Sequence, residues 1–163
     1  MPSRSMLPGQ LAQGLGLSGD VGMSHQFRVS IDSGTYDLGT WTKVSGLAVG
    51  WNACQYRCGE NEEVLTFPGN AKYGNVKLAR AACSDSRTVQ DWLVETTKNH
   101  TPLSGDIQLI NSMYLTVASW QLKECYPISW SVTEFDAGNS RPVVEALEMS
   151  HTGFLSAELK VGF

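Results

Sequence analysis

Alternating apolar and polar side chains predict that most of this chain forms β-strands. Phe27, Val29 and Ile31 alternate with polar residues, the period-two pattern of a half-buried strand, and Ser33-Gly34 closes that strand as a turn. The same reasoning places further strands at 41–47, 49–57, 64–67, 75–79, 106–110, 114–122, 126–132 and 143–151, the last running into 154–161. The predicted class is therefore mainly β.

Proline, glycine and asparagine mark the predicted boundaries of these strands. Pro68-Gly69 suits a type II turn, because proline presets the first central angle and glycine supplies the positive φ of the next. Pro127 cannot donate to a ladder, so its strand is expected to begin there or to lie at an edge. Asn111-Ser112 is expected to be a hairpin turn, and residues 136–142 form a polar loop.

One helix is predicted, from Ser84 to Asn99. Ser84 or Asp85 is expected to cap its first amides. Apolar side chains follow at helical spacing on one face, with Trp92 as the anchor on the sheet.

Length and charge narrow the class of protein further. The chain has 163 residues and a net charge of -4, with no run of Lys or Arg. We expect an N-terminal arm over residues 1–24, rich in Gly, Ser, Leu and Pro, and a single domain over 25–163. A basic stripe for nucleic acid, a secretory signal and an apolar run of about 20 residues are all missing from the sequence. These features predict no nucleic-acid recognition, no membrane anchor and synthesis in the cytoplasm.

The sequence offers little catalytic or metal-binding chemistry. Cys54, Cys58, Cys83 and Cys125 are expected to be free thiols in a reducing cytosol. Cys54 and Cys58 could form half a zinc site, but no second closely spaced pair completes it. No nucleophile motif is present, and the three histidines are far apart in the sequence. We therefore expect neither an enzyme nor a bound cofactor.

Four short motifs follow one another along the chain. They are Val44-Ser45-Gly46-Leu47 with Tyr56-Arg57-x-Gly59-Glu60-Asn61; Pro68-Gly69-x-x-Lys72-Tyr73-Gly74-Asn75-Val76 up to Arg80; Trp120-x-Leu122 with Tyr126-Pro127-x-x-Trp130; and Asp136-Ala137 with Glu145-x-Leu147-Glu148-x-x-His151-x-Gly153. In this order the motifs resemble the tail-tube protein family of T4-like contractile phages, in the branch that forms the inner tube of bacterial contractile injection systems. The resemblance covers the chain from about Phe27 to about Phe154, and residues 11–17 are similar to the leader of some injection-system tube proteins.

The resemblance implies a fold and an assembly. The fold would be two antiparallel sheets forming a barrel-like sandwich with one flanking helix. Six copies would close into a ring by joining sheets edge to edge, and the rings would stack into a hollow conduit. Its implied partners are further copies of itself, a contractile sheath, a baseplate hub with its spike, a tube terminator or cap, and protein cargo in the lumen. The particle would be assembled in the bacterial cytoplasm and released.

The resemblance also assigns roles to individual residues. The stretch from Arg57 to Asn70 is expected to contact the next ring through Arg57, Gly59, Glu60, Asn61, Glu62, Glu63 and Asn70; the alternative is a solvated acidic loop. The remaining motif residues form a packing framework with the helix anchor: Tyr56, Pro68, Gly69, Lys72, Tyr73, Gly74, Asn75, Trp92, Trp120, Pro127, Trp130, Glu145, Leu147, Glu148, His151 and Gly153. The weakly charged strand at 114–122 is expected to pair with another chain or to be a central strand of its own chain.

Other functions stay open at this point. The protein could be an initiator that joins the tube to the baseplate, or the tail tube of a phage rather than of an injection system. A monomeric ligand-binding β-barrel is a more remote possibility, which a ligand held in a closed pocket would reveal.

Overall fold

The computed structural model describes residues 26–57, 59, 63–134 and 136–155. The arm predicted at 1–24, the loop residues Glu60, Asn61 and Glu62, Cys58, and the strand expected to reach 161 lie wholly or partly outside the described residues.

Nine strands and one helix form within the described residues. They are β1 (Gln26–Ile31), β2 (Tyr36–Trp41), β3 (Lys43–Ser45), β4 (Val49–Arg57), β5 (Val64–Tyr73), β6 (Val76–Ala81), α1 (Ser86–Asn99), β7 (Leu103–Ile110), β8 (Thr116–Val132) and β9 (Val144–Ser150).

Strand β8 joins two antiparallel sheets. The strand order is β2-β1-β7-β8-β9-β6-β3. The first part of β8 pairs with β7 as far as Cys125, and the second part pairs with β9 from Tyr126 onward. Glu124, with a φ of 49°, lies where the pairing changes. The strands at the two ends of this order, β2 and β3, follow one another in the chain, so the sheets must curl around one core to bring these ends near each other. The strand order does not close into a barrel. The predicted class, two antiparallel sheets with one helix, is confirmed.

The core lies between these sheets and α1. Its fully buried side chains include Trp41, Ile31, Leu78, Leu147 and Met149. The alternation that predicted β1 is confirmed, since Val29 and Ile31 are buried while Arg28 is exposed.

Helix α1 begins two residues later than predicted. Trp92 is fully buried and anchors the helix, as predicted. Asp85 occupies the N-cap position without a side-chain cap, so the predicted capping by Ser84 or Asp85 is wrong. The helix ends at Asn99, and His100 follows as its C-cap in a left-handed conformation, with its amide donating to the carbonyl of Thr96 at 2.9 Å.

Several strand predictions need correction. β2 was not predicted, and the strand expected at 41–47 contains only the short β3. Pro68-Gly69 is not a turn but lies within β5, opposite Ala53. A proline is tolerated there because β5 belongs to a two-stranded ribbon with a local irregularity.

The second proline-related correction concerns β8. Pro127 does not begin a strand, because the segments predicted at 114–122 and 126–132 are one continuous strand. The alternative, an edge position, is found, since this part of β8 pairs with β9 and the pairing with β7 stops at Cys125. Its register with β9 shifts between Pro127 and Ser129, a bulge that accommodates the missing amide donor. The predicted turn at Asn111-Ser112 and the loop over 136–142 are both found.

Candidate subunit interface

Strands β4 and β5 form a ribbon that lies apart from both sheets. Among the described strands they pair only with each other, from Val49 opposite Tyr73 to Arg57 opposite Val64. Every residue of β4 after Val49 is exposed. A two-stranded ribbon is at best marginally stable on its own, and strands with unpaired edges invite pairing or packing with another chain.

One face of the distal ribbon is apolar. Directly opposed residues in an antiparallel pair point to the same face, so Cys54 with Phe67 and Tyr56 with Leu65 form one surface, here called the apolar ribbon face. Tyr56 is 65% exposed, Phe67 53% and Leu65 43%. Contiguous exposed apolar side chains of this size mark interaction sites more often than ordinary surface.

The opposite face is mixed in character. Gln55 lies opposite Thr66, and Arg57 lies opposite Val64. The ribbon is therefore amphipathic across its thickness, which gives it one surface suited to burial and one suited to solvent or polar contact.

The residues predicted to contact the next ring divide between two places. Arg57, Gly59 and Glu63 lie at or beside the tip of the ribbon and are exposed. Asn70 lies farther back in β5, where the pairing with β4 is irregular. Glu60, Asn61 and Glu62 lie outside the described residues.

The sequence-based prediction emphasised polar groups and missed the apolar ribbon face. The signal was present in the alternation of Leu65 and Phe67 with Thr66, but the turn assigned to Pro68-Gly69 concealed the length of β5. Gly69 shows why the ribbon needs a small residue there: a Cβ atom would contact the backbone oxygen of Asn52.

The base of the ribbon is held by close backbone contacts. Gly46 has a φ of 85°, and a Cβ atom there would overlap the backbone oxygen of Asn75. The amide of Gly74 donates to the carbonyl of Ala48 at 3.1 Å. Glycine is thus required at position 46, where the chain enters the ribbon.

Three aromatic rings pack at the same place. The ring centroid of Tyr73 lies 5.3 Å from that of Phe154 and 5.6 Å from that of His151. Burial lowers the pKa of His151, and the backbone of Gly74 and Gly153 offsets part of this effect. His151 therefore contributes an aromatic ring to the packing at the base of the ribbon.

A buried ion pair connects the framework residues in the core. Arg80 and Glu145 have side chains that are 2% and 0% exposed, with the Arg80 Nε donating to the Glu145 Oε2 at 2.9 Å. The Arg80 Nη1 also donates to the carbonyl of Leu38 at 2.5 Å, and its guanidinium carbon lies 4.0 Å from the centroid of the Trp41 ring. Strands β2, β6 and β9 are tied together through one side chain.

Glu145 accepts two more hydrogen bonds. The Ser86 hydroxyl donates to its Oε2 at 2.7 Å, and the Trp130 Nε1 donates to its Oε1 at 2.8 Å. Burial alone would raise the pKa of Glu145, but these donors and Arg80 outweigh it and lower that pKa. The sequence motifs contained Arg80, Trp130 and Glu145 without showing that they meet.

Other framework residues are either packed in the core, hydrogen-bonded to neighbouring strands or exposed on the ribbon. Leu147 is buried, and Trp120 is partly buried against the core. Glu148 accepts a hydrogen bond from the Asn75 Nδ2 at 3.0 Å, and the Gly153 carbonyl accepts one from the Lys123 amide at 2.9 Å. Lys72 is exposed on the ribbon, opposite Gly50.

The described part of the chain contains no cluster of His, Cys, Asp and Glu suited to a metal ion. In the same residues, no helix has the length and apolar character needed to cross a membrane.

Comparison with known proteins identifies the fold. Among solved structures, a chain of the PVC sheath-tube complex, an extracellular contractile injection system in its extended state, is 20% identical with a TM-score of 0.70, over 93% of this chain and 97% of that one. A chain of the PVC sheath/tube terminator is 20% identical with a TM-score of 0.67, over 85% and 97%. A chain of the anti-feeding prophage baseplate is 20% identical with a TM-score of 0.63, over 84% and 95%.

The sequence itself identifies the family. No curated protein matches the chain. The profile of the family described as T4-like virus tail tube protein gp19 matches residues 23–155, which include both sheets, the ribbon and the helix. The chain therefore belongs to the T4-like virus tail tube protein family.

Proposed function

We propose that this protein is the repeating subunit of the inner tube of a contractile injection system. Six copies form a ring, and stacked rings form a hollow conduit that sheath contraction drives forward. The observation that carries the proposal is the projecting ribbon, whose apolar face is exposed in a chain of a tube-forming family. A six-fold arrangement is supported by the anti-feeding prophage baseplate, which is described as 6-fold symmetrised.

The ribbon is the proposed contact between neighbouring copies. Burying its apolar face removes about 25 cal/mol of unfavourable hydration per Å² of apolar surface. Arg57, Gly59, Glu63 and Asn70, together with the predicted Glu60, Asn61 and Glu62, would surround this apolar contact and give it direction.

The proposed partners are those of the assembled particle. They are a contractile sheath, a baseplate hub with its spike, a tube terminator or cap, and protein cargo in the lumen. Chains with this fold occur in a sheath-tube complex, in a sheath/tube terminator and in a baseplate, which supports the first three. Assembly in the bacterial cytoplasm and release as a tail-like particle complete the proposal.

A mechanical role requires no catalysis, and we propose that the protein is not an enzyme. Arg80 and Glu145 are the only buried charged residues in the described core, and they pair with each other. The Glu145 carboxylate already accepts three hydrogen bonds. It therefore serves the packing of the domain and is not exposed to a substrate.

Negative-stain electron microscopy of the purified protein over a concentration series tests this function. Hollow rings that stack into tubes are expected of the repeating subunit. Rings that never stack would favour the initiator, which joins the tube to the baseplate. Compact monomers at all concentrations, also with baseplate components present, would contradict the proposal and favour the ligand-binding barrel.

A further inference from the structure

A second exposed apolar feature lies outside the ribbon, in the turn between β7 and β8. Met113 is 71% exposed, Tyr114 81% and Leu115 59%. These three residues, here called the apolar knob, follow one another in the chain and form one protruding apolar surface. Such clusters mark protein contacts more often than ordinary surface.

The turn holds the knob outward by its own hydrogen bonds. The Asn111 Oδ1 accepts from the amides of Met113 and Leu115 at 2.9 and 3.0 Å. The Asn111 amide donates to the carbonyl of Leu115, and the Tyr114 amide donates to that of Asn111, both at 3.0 Å. Tyr114 has a φ of 60°, a left-handed conformation that is unfavourable for tyrosine. Strain of this kind is frequently retained at functional positions.

An apolar groove of about 780 Å³ lies where β6, α1, β8 and the segment before β9 converge. We define the apolar groove by six lining residues: Ala81, Ala82, Trp130, Val132, Pro142 and Val143. Cys83 and the polar residues Ser86, Gln90 and Ser131 also line it, and none of the described lining residues is charged. The hydrogen bond from the Trp130 Nε1 to the Glu145 Oε1 fixes the orientation of the Trp130 ring in the lining of this groove.

The knob and the groove lie at opposite ends of β8. The knob immediately precedes Thr116, and the groove includes Val132, the last residue of the strand. The 17 residues of β8 measure at most about 55 Å along the strand, at about 3.3 Å per residue. A contact between two different surfaces at opposite ends of a subunit is head-to-tail, and repetition of such a contact builds rings or stacks.

We propose that the apolar knob of one copy enters the apolar groove of a second copy, and that this contact repeats through the tube. The inference rests on the proposed function, since it names a second copy as the partner. Each copy carries a net charge of -4, so copies approach most easily where neither surface is charged. The described residues of the knob and of the groove carry no charge, and both surfaces are mainly apolar.

Cysteine cross-linking tests this contact directly. Leu115→Cys places a thiol on the knob, and Cys83 is an exposed free thiol in the groove wall. Burial raises the pKa of the Cys125 thiol to about 12, so that group should not react. Treatment of assembled Leu115→Cys protein with diamide should give a covalent ladder on a non-reducing gel.

Two controls make the ladder specific. Leu115→Cys combined with Cys83→Ser should give no ladder, and neither should the wild type. A ladder that persists without Cys83 would place the knob against another thiol, such as the exposed Cys54 on the ribbon, and would overturn the inference. A ladder that stops at the number of copies in one ring indicates contacts within a ring. A longer ladder indicates contacts between rings, and both results support the inference.

Substitutions that preserve the turn provide a second test. Tyr114→Gly removes the ring, and glycine adopts the required positive φ without strain. We expect a rise of about tenfold or more in the concentration needed for assembly, with an unchanged or higher Tm of the monomer. Ser112→Asp, in the same turn but outside the knob, is the matched control and should assemble nearly as the wild type does.

A charge pair distinguishes docking from general damage. Met113→Lys and Val143→Glu should each impair assembly, and the double variant should recover it, because the two charges meet only if the knob enters the groove. Equal impairment in the double variant would overturn the inference. Wild-type rings or tubes without a Cys83-dependent ladder would overturn only this inference, whereas wild-type monomers under every condition would overturn the proposed function with it.

Discussion

At the scale of single residues, Glu145 is the most informative position in the core. It is fully buried and accepts hydrogen bonds from Arg80, Ser86 and Trp130. These donors come from β6, α1 and β8, so one carboxylate links the helix to the strands on which it packs.

The first prediction concerns the loss of this charge. Glu145→Gln should lower the free energy of unfolding by about 3–5 kcal/mol, because Arg80 remains buried without a counter-charge. Chemical denaturation of the monomer measures the loss. Asp37→Asn is the control, since the Arg28–Asp37 pair has side chains that are 55% and 43% exposed, and its removal should cost less than about 1 kcal/mol. Equal losses in the two variants would contradict the structural role of Glu145.

The second prediction concerns pH. The folded state lowers the pKa of Glu145 below its unfolded value of about 4.3, because its hydrogen-bond donors and Arg80 outweigh the cost of burial. Its contribution to stability is therefore fully present above pH 4.3 and is lost as the pH falls through the lower folded pKa. The difference in unfolding free energy between wild type and Glu145→Gln should shrink over this range. A difference in unfolding free energy that stays constant down to about pH 2 would contradict a lowered pKa of Glu145 in the folded state.

At the scale of elements, the ribbon shows how the assignment of one turn changes the predicted surface of a whole strand. Treating Pro68-Gly69 as a turn shortened β5 and made the region look like a polar loop. With β5 running from Val64 to Tyr73, Phe67 and Leu65 fall on the same face as Tyr56 and Cys54. Register in a strand has a period of two, so the length of β5 decides which side chains form a surface.

The third prediction tests this face. Leu65→Asp should raise the concentration needed for assembly by about tenfold or more, because it leaves a charge where an apolar side chain is buried. Thr66→Asp is the control, since Thr66 is adjacent in the chain but lies on the other face. Sedimentation velocity measures assembly, and circular dichroism checks that both variants remain folded. If Thr66→Asp impairs assembly as much as Leu65→Asp does, the apolar face is not the buried one.

At the scale of the whole molecule, charge and apolar surface act in opposite directions. Copies with a net charge of -4 repel one another, whereas the apolar ribbon face and the apolar knob favour association. The acidic residues near the ribbon tip make assembly sensitive to salt. Because the attraction between copies comes from apolar surfaces, salt is expected to promote assembly.

The fourth prediction follows from this balance. Raising the salt concentration from about 0.05 M to about 0.5 M should promote assembly, because salt screens the repulsion between copies without weakening apolar contacts. Light scattering or sedimentation at both salt concentrations measures the effect. Dissociation at high salt would indicate instead that ion pairs at the tip, such as those of Arg57 or Glu63, hold the copies together.

The sequence by itself determined the strand-rich class, the single helix and the family. Alternation identified β1, and helical spacing identified Trp92 as the anchor, because both signals depend on residues close together in the chain. The ordered motifs are sufficient for the family, which the match over residues 23–155 confirms.

The tertiary structure alone decided which distant residues meet. Arg80 and Glu145 are 65 positions apart, and only the pairing of β6 with β9 places them together. The continuity of β8 through Pro127 likewise depends on a bulge against β9. The knob and the groove lie at opposite ends of this strand, a relation that no local pattern contains, because it depends on how far the strand runs and which neighbours surround its ends.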